Sequence, residues 1–125
     1  MSDAFEVNVE SEIKDKGLNA PRITKDHIDE LMKQVKFQVV YPENTTTTLV
    51  LATLDGFNLG IGFSACVSKE NFNAELGAKI ASEDATRKAR DQLWMLEGYR
   101  LARSLKDAPN VNQIEGSHEM VESKG

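Results

Sequence analysis

One cysteine, two histidines and three prolines occur in 125 residues, and each shortage excludes something. Cys66 alone cannot form an internal disulfide, which suits a reducing compartment. It cannot complete a zinc site with His27 and His118 either, because neither histidine stands at a metal-ligand spacing. No metal and no cofactor is expected. Cys66 lies between Ala65 and Val67 near the end of a strand-like run, where a plain buried thiol is the expected reading. Gly60-x-Gly62 lacks the third glycine of a dinucleotide fingerprint. The carboxylates of Glu83/Asp84 and Asp29/Glu30 are adjacent and diverge on a helix, so they read as solvated faces and not as acid–base pairs. No apolar run approaches the ~18 residues that cross a bilayer, and Met1-Ser2-Asp3-Ala4 has none of the basic start of a signal peptide. Neither membrane insertion nor export nor catalysis is expected.

The charge of −5 is concentrated at the ends. Residues 1–21 hold five acids against Lys14 and Lys16, and residues 107–125 hold four against Lys124. The body, 22–106, has twelve basic and eleven acidic residues and stands at +1. That neutrality permits an anionic ligand but falls short of the basic footprint of nucleic-acid binding. The last part of the body is locally basic, with Arg87, Lys88, Arg90, Arg100, Arg103 and Lys106 against Asp91 and Glu97.

Residues 1–19 are polar and without sustained periodicity, and predict a flexible acidic arm. Residues 20–106 predict one α+β domain, and 107–125, with Pro109, Asn110, Asn112, Gly116 and Ser117, a disordered acidic tail. Thr24 is an N-cap candidate before an amphipathic helix carrying Ile28, Leu31, Met32 and Val35. Phe37, Val39 and Tyr41 alternate with Gln38 and Val40 as a half-buried strand stopped by Pro42. Thr45 to Leu54 is a second strand, and Asp55-Gly56 marks a type I′ hairpin turn into a third, Phe57 to Val67. One face of that third strand carries Phe57, Leu59, Ile61, Phe63, Ala65 and Val67; the other carries Asn58, Gly60, Gly62, Ser64 and Cys66. Glycines inside a strand mark a bulge or a close backbone approach, here most simply by a helix of the same chain. Ser68 is read as the cap of a helix with a Phe72/Leu76/Ile80 stripe. Beside it Ala74, Ala78, Ala81, Ala85 and Ala89 form a small-residue stripe suited to close packing within the chain or between subunits. Leu93, Trp94, Leu96, Leu101 and Leu105 continue the pattern. The order is α-β-β-β-α(-α), a three-stranded antiparallel sheet with a long C-terminal helix that either projects or breaks near Met95 to Gly98.

Four blocks carry a family resemblance: Ala20 to Thr24, Gly62 to Val67, Asn71 to Ala81 and Leu93 to Tyr99. Together they cover roughly residues 20–105, and the chain resembles the tailed-phage accessory family named after gene products forty-nine and sixty-six of two enterobacterial phages. The chain departs from that pattern at Phe63, where an acid is usual, and at Met95, where a proline is usual. The helix between Ala81 and Trp94 is about one turn longer. Losing the proline removes the obvious break. The resemblance implies a phage product acting in the host bacterial cytoplasm, and it supplies no catalytic residues.

The candidate ligand-binding residues are Tyr99, Arg100 and Arg103, then Arg87 and Arg90. On a helix Leu96, Tyr99, Arg100 and Arg103 share one stripe, and arginine forks suit phosphate while tyrosine can stack on a base. The bland alternative pairs these arginines with Glu97, Asp91 or a partner's acids. Together with the phage resemblance, the stripe leads to an expected homo-oligomer without catalytic activity that counters host defence by sequestering a small phosphorylated host messenger. The alternative is a protein–protein inhibitor of a host enzyme or defence complex. Nucleic acid ranks third.

Overall fold

The computed structural model describes residues 3–108. Its elements run α1 (Asp3–Asp15), α2 (Lys25–Met32), β1 (Lys36–Val40), β2 (Thr47–Leu54), β3 (Phe57–Ala65), a single 3-10 turn at Lys69–Asn71, and α3 (Ala74–Asp107). The strands form one antiparallel meander in the order β1-β2-β3. This is the α+β arrangement read from the sequence, with one addition. Residues 3–15, expected to belong to a flexible arm, form a helix. The expected tail beyond Ala108 lies outside the described residues.

Local chemistry sets most boundaries. The Thr24 hydroxyl accepts from the His27 N–H and caps α2. Asp55 and Gly56 both take positive φ, 52° and 82°, as a type I′ turn requires. The start of α3 differs from expectation. Ser68 opens only the 3-10 turn, and Asn73 is the N-cap, accepting from the Leu76 N–H. Beyond it α3 runs unbroken for 34 residues, about 51 Å at ~1.5 Å per residue. With methionine at 95 no proline interrupts the hydrogen-bond ladder, so the helix continues through Gly98 and overhangs the sheet.

Contact between α3 and the sheet depends on small residues. The buried row on α3 is Gly77, Ala81, Ala85, Ala89 and Leu93, whereas Leu76 and Ile80 are exposed. It faces Thr48, Val50 and Ala52 of β2, all fully buried, and the glycine side of β3. A Cβ built on Gly62 would strike the Ala81 carbonyl oxygen and the Ala85 nitrogen and lie 2.8 Å from the Ala85 Cα. The sequence expectation of a helix closing on these glycines holds. The pairing of Ala52 with Gly60 and of Thr53 with Asn58 leaves Leu59 as an extra residue. This bulge lets Leu59 join the core beside the glycine face.

Two consequences follow for the sheet. Its opposite face, with Leu49 and Leu51 half-buried and Ile61 and Phe63 exposed, carries no described helix. And α3 lies mainly over β2 and β3, so β1 is left at the margin. Phe37 and Val39, expected on a half-buried strand, are 42% and 40% exposed.

Candidate functional site

The five candidate residues sit on one helix but do not form one site. Arg90 is structural. Its Nε donates to both Glu6 oxygens at 3.1 and 2.9 Å, and Nη2 donates to Glu6 and to Asp29 Oδ1, the latter at 2.8 Å. Glu6 also accepts from the Trp94 indole at 3.2 Å and is 2% exposed. The bond from Glu6 raises the Arg90 pKa, and the Lys25 ammonium, with Arg90 second, holds Asp29 below its ordinary range. With Nε and Nη2 engaged and the side chain mostly buried, this guanidinium serves the fold.

Arg87 pairs with Asp84 and borders a shallow hollow of about 500 Å³ with Phe63, Ile80 and Glu83. Asp84 is held low, first by Lys88 and then by the Phe63 N–H. Glu83 and Asp84 offset Arg87 and Lys88 there, so no net positive charge draws an anion to this hollow. Tyr99 is 64% exposed. At ~100° per residue it points away from the helix side that carries Leu93 and Leu101. Around the helix Arg103 falls between Tyr99 and Arg100, and it pairs with Asp107 at 3.5 Å. Tyr99, Arg100 and Arg103 keep the spacing of one stripe on the unbroken helix, and of the three only Arg100 lines a cleft.

Arg100 is the member that lines a concavity. A cleft of about 370 Å³ lies between the segment entering α2 and the overhanging end of α3, lined by Pro21, Arg22, Ile23, Thr24, His27, Arg100, Leu101 and Ser104. Its walls are held by two carboxylates. Glu10 of α1 receives both terminal nitrogens of Arg22 at 2.9 Å and the Lys25 N–H at 3.1 Å. Glu97 accepts from Arg100 at 3.0 Å and sits 2.6 Å from His27 Nε2. Arg100 first, then His27, hold the Glu97 carboxyl below the usual range; Arg22 does the same for Glu10. Arg22 Nε and Arg100 Nη1 have no partner among the described residues. The cleft thus offers two anchored guanidiniums, an imidazole and two hydroxyls, which suits a small anion.

Sequence reasoning missed Arg22 and His27. His27 was weighed only as a metal ligand, and Arg22 lies 78 positions from Arg100 in the chain. The available signal was the Ala20 to Thr24 block, which contains Arg22. Cys66 is half-buried and donates to the Ser68 carbonyl at 3.2 Å. Among the described residues no group of three or more His, Cys, Asp or Glu could hold a metal ion. None of their helices is long and apolar enough to cross a membrane.

The profile of the family described as "Phage protein (N4 Gp49/phage Sf6 gene 66)" matches residues 23–105. No curated protein and no solved structure matches the chain.

Proposed function

Because the chain belongs to the N4 Gp49/phage Sf6 gene 66 family of phage proteins, we propose that this phage accessory protein acts by binding and not by catalysis. In this reading it works in the host cytoplasm and sequesters a small phosphorylated, nucleotide-derived host signal. The observation that carries the proposal is the convergence of Arg22, His27 and Arg100 on one cleft. Each is oriented by a carboxylate, so little side-chain entropy remains to be lost when a phosphate enters. A cleft of about 370 Å³ falls at the lower end of small-molecule sites. It would take a mononucleotide or a sugar phosphate more readily than a long polymer.

Isothermal titration of the full chain against cyclic nucleotides, linear mononucleotides and ADP-ribose derivatives tests this. Arg100→Glu or Arg22→Glu should weaken binding at least tenfold, and Arg103→Glu, outside the cleft, should change it little. No heat with any of these ligands at high micromolar protein would overturn the proposal. The uncovered sheet face with exposed Ile61 and Phe63 favours a second reading, an inhibitor docked on a host protein. A stoichiometric host protein that is lost on Phe63→Glu and retained on Arg100→Glu would favour that reading.

A further inference from the structure

The two edges of the sheet are treated differently. At the β3 edge the Phe63 N–H donates to Asp84 Oδ2 at 3.1 Å, and the Ile61 carbonyl accepts from Lys88 Nζ at 3.1 Å. Side chains of α3 therefore occupy two of the backbone groups that another strand would need. Among the described residues the β1 edge has no such cover. Four of its five residues are exposed.

The ladder fixes which groups β1 presents. In antiparallel pairing a residue points its N–H and C=O to the same side, and neighbouring residues alternate. Ile61 and Phe63 point theirs away from β2. Their partners Leu51 and Leu49 then point towards β1, where they meet Gln38 and Val40. Phe37 and Val39 are left pointing outward, and their backbone groups have no partner among the described residues. The same two side chains are the apolar ones that α3 fails to cover.

From this we propose that β1 pairs with β1 of a second copy, antiparallel about a two-fold axis at Gln38. In that register Phe37 exchanges both of its hydrogen bonds with the second copy's Val39, and Val39 with its Phe37. All five strand residues are paired, and any other register leaves an overhang. Exposed Phe37 is brought beside exposed Val39. The single charge of the strand, Lys36, falls opposite Val40 and not opposite its own copy, so no like charges meet. The two meanders join into one six-stranded sheet whose outer edges are the two β3 strands, both already blocked by Asp84 and Lys88. Growth therefore stops at two copies. An edge of five residues is about 17 Å long and buries less than the ~800 Å² per partner of a standard interface. The association is accordingly reversible and concentration-dependent.

Sedimentation velocity on the full chain from low micromolar to submillimolar concentration should show a shift from one to two chain masses. Val39→Pro removes an N–H that the single chain does not use, at an edge position where proline is tolerated. It should abolish the shift with an unchanged circular dichroism spectrum. Gln38→Cys, in a Cys66→Ser background, places two thiols directly opposite in a non-hydrogen-bonded pair, with Cα atoms about 4.5 Å apart and within disulfide reach. It should cross-link under mild oxidation, and Lys36→Cys should not. The cysteine pair leaves the backbone intact and decides the matter independently if the proline variant fails to fold. A chain that stays single throughout, a dimer indifferent to Val39→Pro, or equal cross-linking at 36 and 38 would overturn the proposal. The first of these would leave the edge to an extended segment of another protein.

Discussion

Glu6 and Arg90, 84 positions apart, form a two-pronged ion pair in which the carboxylate is almost wholly buried. It ties α1 to α3, as Glu10 ties α1 to Arg22 and Lys25, and it is reinforced by Trp94 and by Asp29 on the other side of the guanidinium. Helix α1 lies outside the family match of 23–105, yet its carboxylate completes the charge balance of an arginine inside it. The helix is inverted. Glu6 and Glu10 face the protein, whereas Phe5, Val7 and Val9 are exposed.

Removing one partner of a buried pair leaves the other uncompensated, at a cost of roughly 3–5 kcal/mol. Glu6→Ala should therefore lower the unfolding free energy by about 3 kcal/mol and release α1. Amide exchange should rise across residues 3–15 before it rises in the sheet. The joint change Glu6→Leu with Arg90→Met should cost far less, since a buried pair replaced by apolar groups of similar size is often neutral. An α1 that stays protected in Glu6→Ala would show that other contacts hold it.

Gly62→Ala adds one methyl where backbone already stands. The obstacles are the Ala81 carbonyl, the Ala85 nitrogen and the Ala85 Cα, none of which can rotate away as a side chain could. Overpacking of this kind costs about 3 kcal/mol or more. A urea titration should show a lower midpoint with an unchanged slope. Gly98→Ala is the contrast: nothing lies within 4 Å of that Cβ position, so the exchange should stabilise the helix by roughly 0.5–1 kcal/mol.

The Thr48 hydroxyl is buried without a hydrogen-bond partner among the described residues and faces Gly77 of α3, where a Cβ would lie 2.7 Å from it. Thr48→Val keeps the shape and removes the stranded oxygen. Stability should rise by about 1 kcal/mol, read as a higher thermal midpoint. A fall would mean that the hydroxyl has an unseen partner.

Acid should loosen the walls of the cleft. The carboxyls of Glu97, Glu10 and Asp29 are each held below their ordinary values of 4.5, 4.5 and 3.8. A carboxylate lowered by folding contributes stability that is fully present above its unfolded pKa and is lost as pH falls through the folded one. The thermal midpoint should be flat from neutral pH to about 5 and should drop below about 4.5. Glu97→Gln should start lower at neutral pH and show a shallower acid limb. An unchanged limb would indicate that Glu97 contributes nothing to acid sensitivity.

The Asp55-Gly56 turn, the Thr24 cap and the glycine–alanine match were legible in the sequence because each depends on residues near in sequence or on a missing side chain. Helix α1 was not legible. Phe5, Val7 and Val9 are outside and its anchoring residues are acids, so no core-facing apolar stripe announces it; the folded positions of Arg90 and Arg22 make it a helix worth forming. The cleft was half legible. Arg100 was singled out by charge and spacing, but its companions Arg22 and His27 come from the other end of the domain.

Local sequence set the order of the elements from α2 onward, the hairpin and the need for close helix–sheet packing, since these follow from φ preference, period and side-chain size. Which arginine lines the cleft was settled only by the tertiary structure. Arg87, Arg90, Arg100 and Arg103 are chemically alike, and the difference lies in what the rest of the fold brings to each. Arg90 is enclosed by Glu6 and Asp29; Arg87, Arg100 and Arg103 are each paired on their own helix, and of these Arg100 lines the cleft with Arg22 and His27. Those distances depend on how α1 and α2 dock on α3, which no spacing along the chain encodes.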